Sequence, residues 1–376
     1  MIELREHFLD SASGAAVAPS RATPWRIDSV DSRLKRVIDC HFDPAGGSAF
    51  WLDRARQLRI DPRRDVHGLE DLALLGELSP ADLRERPLLD YIPRALHSRM
   101  AELTVAQTGG TTGGGTWTAY EPFEFRQAFV DPFTCAASAM GFPRQQQWLF
   151  VGPSGPHIIG KVVRHLSAEF GSAEPFMVDF DPRWAKKLPS GSFAQRRYLS
   201  HVIEQAMLVI NSQEIGVLFT TPPVLAALGA AMTAVQRRRI CAVHYGGMTV
   251  TPQAMRNFQT EVFPEALHLA GYGNTLFGCC LELSTEVGRT LDYFPYGSRL
   301  ILEVVDETGS RVAPYNSGRV RFTRLDETIL IVRLLERDVA TAIPCPPAAP
   351  KGFSLPGVRD PHTPENIVPR ASAGLY

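Results

Sequence analysis

A run of glycine and threonine residues, 108–116, is the part of the sequence best suited to binding an anion. Glycine allows positive φ angles and lets oxygen atoms approach the backbone N–H groups, while threonine hydroxyls donate further hydrogen bonds to phosphate oxygens. The run follows a short predicted strand at 103–106 and precedes a predicted helix that begins near Glu121. A flexible linker is the alternative, but these flanking elements favour a phosphate-binding loop. Its candidate residues are Thr108, Gly109, Gly110, Thr111, Thr112 and Gly113.

Residues further along the chain could complete a nucleotide site. The aromatic ring of Tyr272 suits a purine, the Thr275 hydroxyl could contact phosphate, and the Asp338 carboxylate could accept hydrogen bonds from both ribose hydroxyls. Each has a structural alternative, since Tyr272 could be a core residue and Asp338 could pair with Arg333 or Arg337. The loop itself matches neither of the two commonest phosphate motifs, because it lacks Gly-Lys-Ser/Thr and the dinucleotide spacing.

Strand, turn and helix recur along the middle of the chain and would position these residues. A short apolar strand at 147–152 leads into an amphipathic helix that ends near Phe170, and similar units start at 214 and 240. Such repeats predict an α/β sheet with ligand-binding loops at the carboxyl ends of the strands.

The flanking regions have different patterns. Residues 46–106 are predicted to be helical and 171–196 to form a long surface loop, whereas strands predominate after 298 and predict an antiparallel β subdomain at 299–335. The proline-rich residues 344–376 are predicted to form a loosely packed tail.

Composition excludes several functional classes. With 376 residues, 44% of them hydrophobic, and a formal net charge of -1, the sequence predicts a soluble globular protein without a nucleic-acid partner. Its apolar runs fall short of the roughly 20 residues that a membrane-spanning helix needs. The N-terminus lacks a signal-peptide pattern, which predicts a cytoplasmic location. The six cysteines show no metal-ligand spacing, so we predict no protein metal site.

Five motifs in consistent order resemble those of the adenylate-forming superfamily of acyl-CoA ligases and peptide-synthetase adenylation domains. The loop 108–116 resembles the family's Ser/Thr-Gly-Thr-Thr-Gly-x-Pro-Lys motif, and Gly271-Tyr-Gly-Asn-Thr275 resembles Tyr-Gly-x-Thr-Glu. The segments 148–157, 245–248 and 333–338 match three further motifs, the last of which binds ribose. The similarity is greatest to the phenylacetate-CoA ligase branch and to the acyl-protein synthetase of bacterial luminescence.

The resemblance implies an α/β fold of stacked sheets plus a small antiparallel β subdomain. Residues 1–343 would form the large N-terminal-type domain and 344–376 a tail with a remnant of the hinge, with the small C-terminal domain absent. It also implies ATP-dependent, Mg²⁺-supported activation of a carboxylic acid as an acyl-adenylate, in secondary metabolism. The acyl group would pass to CoA, a carrier protein or an amine, and a separate protein could supply the C-terminal domain.

Residue roles follow from the same resemblance. Catalytic roles would belong to His157, Thr111 and Thr275. Besides the loop, the nucleotide would contact Gly247, Tyr272, Gly273, Asn274, Asp338 and Arg359. The acyl pocket would be lined by His157, His244, Tyr245, Gly246, Met248 and Phe277, a largely apolar and aromatic set that predicts an aromatic or heteroaromatic acid. A structural, hydrogen-bonded His244 is the alternative at that position.

The sequence departs from the family pattern at three points. Gly114-Gly115-Thr116 replaces the x-Pro-Lys end of the loop, and Leu276 replaces the glutamate that holds Mg²⁺. The lysine-bearing C-terminal domain is the third missing feature, and Arg144, Lys161, Arg164 and Arg337 are candidates for the missing charge. A nucleotide- or acyl-adenylate-binding protein without turnover, and an acyltransferase that uses an already activated acyl group, therefore remain as alternatives. A serine hydrolase at Ser154 is disfavoured because Pro156 occupies the glycine position of Gly-x-Ser-x-Gly.

Overall fold

A computed structural model describes residues 28–109, 115–248 and 250–364 as helices packed around three β-sheets. The α-helices are α1 (Val30–His41), α2 (Ala49–Leu58), α3 (Pro62–Asp65), α4 (Pro122–Phe125), α5 (Asp131–Ala139), α6 (Ile158–Glu169), α7 (Pro182–Ala185), α8 (Phe193–Ser212), α9 (Pro222–Ala231), α10 (Ala234–Arg239) and α11 (Pro252–Asn257). The strands are β1 (Thr104–Gln107), β2 (Trp117–Tyr120), β3 (Gln147–Gly152), β4 (Phe176–Asp179), β5 (Ile215–Thr220), β6 (Ala242–Tyr245), β7 (Leu267–Asn274), β8 (Gly278–Leu281), β9 (Asp292–Tyr293), β10 (Leu300–Val305), β11 (Ser317–Leu325), β12 (Leu330–Ile343) and β13 (Gly357–His362).

The central six-stranded sheet has the order β4-β3-β5-β6-β7-β8, in which all neighbours are parallel except the β7–β8 hairpin. Helices connect its parallel strands, as a parallel sheet requires. Apolar cores cover both faces, and β5 is buried along its whole length. The three strand-and-helix units predicted around 147, 214 and 240 are confirmed.

The second sheet is antiparallel, with the order β10-β11-β12-β13-β9. It extends from Asp292 to His362 and therefore beyond the predicted limits 299–335. Residues 357–362 pair with both β12 and β9, and Val358 and Phe353 are buried. The prediction of a loosely packed tail is therefore wrong for 353–362, because few apolar side chains were needed to complete an existing sheet edge. Whether this segment corresponds to a hinge stays a prediction.

A two-stranded hairpin carries the glycine-rich loop. Strands β1 and β2 pair in antiparallel register, with Gln107 opposite Trp117. The loop therefore joins two strands, and the helix predicted to begin near Glu121 follows the second of them and starts at Pro122. The strand was missed because the segment Trp117-Thr-Ala-Tyr120 is only four residues long. Helix α4 follows it, with a capping box between Glu121 and Glu124.

The remaining regions differ from the secondary structure that the sequence pattern predicts. Between 46 and 106 only α2 and α3 are α-helical, and short 3₁₀ helices occupy Glu70–Leu75, Asp82–Arg84, Leu88–Tyr91 and Arg94–Glu102. The predicted surface loop at 171–196 contains β4 and α7. π-Helical segments at Arg126–Val130 and Phe258–Val262 adjoin α5 and α11. Within the described ranges, none of the helices is both long enough and apolar enough to cross a membrane.

Candidate functional site

Two hydrogen bonds connect the two ends of the glycine-rich loop. The Thr108 N–H donates to the Thr116 carbonyl at 2.9 Å, and the Thr116 N–H donates to the Thr108 hydroxyl at 2.9 Å. A side chain at Gly115 would place its Cβ 2.5 Å from the Thr108 carbonyl oxygen, so this position requires glycine. Thr108 and Gly109 thus begin a closed hairpin loop. The predicted phosphate ligands Gly110, Thr111, Thr112 and Gly113 lie outside the described residues.

The hairpin lies against the turn that precedes α6. The Gln107 N–H donates to the Pro156 carbonyl at 2.8 Å, which places the N-cap residue His157 beside the hairpin. His157 is buried, and burial, followed by the charge of Arg183, lowers the pKa of its imidazole. His157 is therefore neutral at physiological pH and can exchange hydrogen bonds as donor or acceptor.

Tyr272 and Asp338 are 66 residues apart in sequence and are in direct contact. The Tyr272 hydroxyl, on β7, donates to Asp338 Oδ2 on β12 at 3.2 Å. The Thr363 hydroxyl donates to Asp338 Oδ1 at 2.6 Å. Burial raises the pKa of Tyr272 well above its usual value, so the hydroxyl keeps its proton. The predicted adenine and ribose residues therefore lie side by side, and Asp338 keeps further lone pairs for a ligand.

Asn274 organises the turn between β7 and β8. Its side-chain carbonyl accepts hydrogen bonds from the N–H groups of Leu276 and Phe277 at 2.8 and 3.1 Å, while its amide donates to Glu336 at 2.6 Å. Burial, followed by the charge of Asp338, raises the pKa of Glu336 to about 7. At Gly273 a Cβ would lie 2.1 Å from the Gly278 carbonyl oxygen, so close strand pairing requires glycine there. Asn274 and Gly273 thus have structural roles in this turn.

Three predicted pocket residues are packed inside the protein. His244 is in the aromatic core with Phe133 and Phe219, and its Nδ1 is bonded to the Leu269 carbonyl at 2.9 Å. Tyr245 points to the opposite face of β6. Both side chains are buried in this structure, and their role in lining the acyl pocket stays a prediction.

Phe277 is the third of these residues. It is fully buried and packs edge-on against Phe322, with ring centroids 5.0 Å apart. The second sheet therefore covers its ring, and a contact of Phe277 with the acid stays a prediction. Gly246, Gly247 and Met248 follow the carboxyl end of β6 and are at least partly exposed, so they remain candidates for a ligand contact. A Cβ at Gly246 would approach Phe219 to 2.8 Å.

Arg359, predicted to contact the nucleotide, is part of a strand-to-strand ion pair. Its Nε and Nη2 atoms donate to the two carboxylate oxygens of Asp292, both at 2.7 Å. The two residues are register partners on β13 and β9. This bidentate geometry gives Arg359 a structural role between the two strands, and its contact with the nucleotide stays a prediction.

The positive charges of Arg337 and Lys186 affect neighbouring side chains. Lys186 is half-buried at the carboxyl end of α7, and burial, followed by the charge of Arg337, lowers the pKa of its amine. The positive charge of Lys186 in turn helps to lower the pKa of the His157 imidazole. Sequence reasoning named Arg337 but missed Lys186, whose only signal was the scarcity of lysine in the chain.

Two other candidate cations are engaged elsewhere. Arg144 donates to the Glu169 carbonyl at 2.7 Å, and Arg164 pairs with Glu174 at 2.9 Å. Both interactions lie at the solvent-exposed side of α6.

A divalent cation has no evident protein site. Leu276, at the position of the family's metal-binding glutamate, is 5% exposed. Glu282 is held in a buried bidentate ion pair with Arg289 and accepts the Ala270 N–H at 2.9 Å. In the ranges that the structure describes, no group of three or more His, Cys, Asp or Glu side chains could hold a metal ion.

Comparison of the fold with solved structures identifies related architectures. No protein-family model matches the sequence, and no curated protein matches it. A 2-hydroxyisobutyryl-CoA ligase in complex with 2-HIB-AMP and CoA in the thioesterification state matches with a TM-score of 0.64 and 16% identity over 88% of this chain. The match covers 66% of that ligase, so the chain spans about two thirds of its length.

Other states of the same ligase give similar values. An open conformation with 2-HIB-AMP and CoA matches with a TM-score of 0.64 and 15% identity, over 88% of this chain and 72% of that one. The postadenylation state with 2-HIB-AMP matches with a TM-score of 0.62 and 15% identity, over 95% and 72%. At such identities the likeness shows the fold. The chain therefore has the mixed α/β fold of the matched part of this ligase.

Proposed function

We propose that the protein activates a carboxylic acid with ATP. A carboxylate oxygen attacks the α-phosphorus, pyrophosphate leaves, and an acyl-adenylate forms. A thiol of CoA or of a carrier protein, or an amine, then attacks the acyl carbon and releases AMP. The observation that carries this proposal is the contact between Tyr272 and Asp338, next to the turn that bears Thr275 and close to the glycine-loop hairpin.

Each part of this site has a proposed task. The loop residues 108–113 would donate to phosphate oxygens, Tyr272 would pack against adenine, and Asp338 would accept the ribose hydroxyls. Thr275 would contact the α-phosphate, and His157 would border the path between the carboxylate and ATP. These assignments agree with the fold of the ligase matched above, which was solved with an acyl-adenylate and CoA.

The acid is proposed to be aromatic or heteroaromatic, as in the phenylacetate-CoA ligase branch, within secondary metabolism. His244, Tyr245 and Phe277 are buried in the ligand-free structure, as is His157, so their contact with the acid is proposed from the family resemblance. Gly246 and Met248, which are partly exposed, complete the proposed pocket lining. Mg²⁺ would accompany ATP, without an assigned ligand among the described residues.

The test is acid-dependent exchange between ATP and radiolabelled pyrophosphate, with a panel of aryl, heteroaryl and fatty acids. We expect exchange with at least one acid, and product formation when CoA or a carrier protein is added. ATP binding without exchange for any acid would contradict the ligase function and favour a nucleotide-binding protein. Transfer from a preformed acyl-CoA without ATP would favour the acyltransferase alternative.

The loop lacks the lysine that contacts phosphate in the family motif, so another residue would have to supply this positive charge. Lys186 is half-buried, Arg337 is exposed, and the charge of Arg337 lowers the pKa of the Lys186 amine. An anion bound near both side chains would be attracted by two positive charges. We therefore include Lys186 and Arg337 among the residues proposed to contact the phosphates.

Lys186→Gln is expected to raise the dissociation constant for ATP about five- to tenfold, since one charge-assisted hydrogen bond contributes about 1.5 kcal/mol. Lys187→Gln is the matched control, because this neighbour is exposed and the change in net charge is identical. Isothermal titration calorimetry at constant salt measures both variants. Equal effects of the two substitutions, or no effect of Lys186→Gln, would place Lys186 outside the phosphate site.

A further inference from the structure

A buried cluster of arginines lies between the central sheet and the antiparallel sheet. Arg299 and Arg324 are at most 2% exposed, and both donate to the fully buried carboxylate of Asp326. Arg33 lies 3.5 Å from the same carboxylate. Burial alone would raise the pKa of Asp326, but the nearby guanidinium groups lower it to about 2. Asp326 is thus an anion at every physiological pH, and the cluster remains charged.

Arg324 joins this cluster to the strand that leaves the glycine-rich loop. Its Nη1 donates to the Thr118 hydroxyl at 2.8 Å, and its Nη2 donates to the Ala119 carbonyl at 2.7 Å. Its guanidinium carbon lies 3.7 Å from the centre of the Tyr120 ring. Three successive residues of β2 therefore contact one buried cation. A hydrogen bond that involves a charged group contributes about 1.5–3 kcal/mol, more than a neutral one.

The same side chains hold the turn that bears Thr275. The Tyr120 hydroxyl donates to the Thr275 carbonyl at 2.8 Å, Arg324 donates to the Leu276 carbonyl at 3.1 Å, and Arg299 donates to the Phe277 carbonyl at 2.5 Å. Three consecutive backbone carbonyl groups thus accept hydrogen bonds from three different side chains. This is an unusual way to satisfy a turn, since most turn carbonyls are bonded to backbone or water. It leaves the turn little freedom to move relative to β2.

From this arrangement we propose that Tyr120, Arg324 and Arg299 are positioning residues that set the distance between strand β2, which follows the glycine-rich loop, and the Thr275 turn. None of them needs to touch the nucleotide. Because a phosphate chain would have to contact the loop and the turn together, a fixed separation preorganises both groups for the same ligand. The identity of the ligand rests on the proposed function. The structural coupling between β2 and the turn depends only on the hydrogen bonds described above.

A general stabilising cluster would have a different consequence. Loss of one hydrogen bond would then lower the melting temperature without a selective effect on the turn or on ATP. The Tyr120 hydroxyl separates the two cases, because phenylalanine keeps the ring that faces Arg324 and removes only the bond to the Thr275 carbonyl. Tyr91 is the matched control, since its hydroxyl also donates to a backbone carbonyl, that of Asp82, in a different part of the fold.

The experiment compares Tyr120→Phe with Tyr91→Phe in the full-length protein. Tyr120→Phe is expected to raise the dissociation constant for ATP about tenfold and to speed hydrogen exchange of the Leu276 and Phe277 amides about tenfold. Those are the amides that bond to the Asn274 side chain in the turn. Tyr91→Phe is expected to leave both quantities within about twofold, even where it lowers the melting temperature as much.

Thr118→Val provides a second variant with little change in volume. It removes the hydroxyl that accepts from Arg324 on the loop side of the network, and exchange in the turn is expected to rise as in Tyr120→Phe. Unchanged exchange at Leu276 and Phe277 in both variants would overturn the positioning role. If the wild-type protein binds no ATP, the proposed function fails, while the exchange measurement still decides whether β2 and the turn are coupled.

Discussion

Asp326→Asn is expected to lower the free energy of unfolding by about 3–5 kcal/mol, the usual cost of removing one partner from a buried ion pair. The carboxylate accepts from Arg299 and Arg324 and lies beside Arg33, and all three guanidinium groups are buried. Asparagine has the same shape but no charge, and its amide N–H₂ would face N–H donors. Urea denaturation at pH 7, followed by circular dichroism, measures the loss.

Asp292→Asn is the control for this prediction. Asp292 makes a comparable bidentate pair with Arg359, but the side chains are 27% and 35% exposed, so solvent screens the charges. A loss of at most about 1 kcal/mol is expected there. Comparable losses at the two positions would show that burial of the arginine cluster does not set its importance for stability.

Asp338→Ala is expected to weaken ATP binding about a hundredfold. In the proposed complex the carboxylate accepts both ribose hydroxyls, and two hydrogen bonds to a charged acceptor contribute at least about 3 kcal/mol, which is more than a hundredfold in affinity. Titration calorimetry with ATP and with 2′,3′-dideoxy-ATP measures the effect. The wild type should prefer ATP, whereas the variant should bind the two nucleotides equally.

Thr363→Ala tests whether this effect belongs to the carboxylate. The threonine hydroxyl donates to Asp338 Oδ1, and its removal leaves the carboxylate in place and gives it one more available lone pair. ATP affinity should be unchanged or higher in this variant. If Asp338→Ala kept its preference for ATP over the dideoxy nucleotide and lost only stability, Asp338 would be a structural partner of Tyr272 rather than a ribose ligand.

Local sequence patterns predicted the parts of the fold that depend on local physics. The continuous apolar run of β3 was located at residues 147–152, where the strand lies, because a strand buried on both faces has no polar positions. Helices α9 and α11 begin at Pro222 and Pro252, since the first turn of a helix tolerates a missing N–H. Motif order also anticipated that Tyr272 and Asp338 belong to one site.

Other features depended on side-chain packing between distant elements. Whether His244 and Tyr245 border a pocket is decided by what covers each face of β6, and apolar cores cover both faces. A periodic pattern identifies a buried strand but does not show whether its side chains meet a ligand or other protein atoms. The same limit applies to Phe277, which packs against Phe322 of β11.

The sequence by itself determined the repeated strand-and-helix units, the glycine positions of the loop and the order of the motifs, because these depend on residues close together in the chain. Only the tertiary structure showed that Arg324 joins β2 to the Thr275 turn, across 206 and 48 residues of sequence. It also showed that the charge of Arg337 acts on Lys186 and that Arg359 pairs with Asp292. An isolated arginine or lysine in a sequence has no assigned partner, since the folded chain alone decides which opposite charge or carbonyl lies within reach and how much water remains between them.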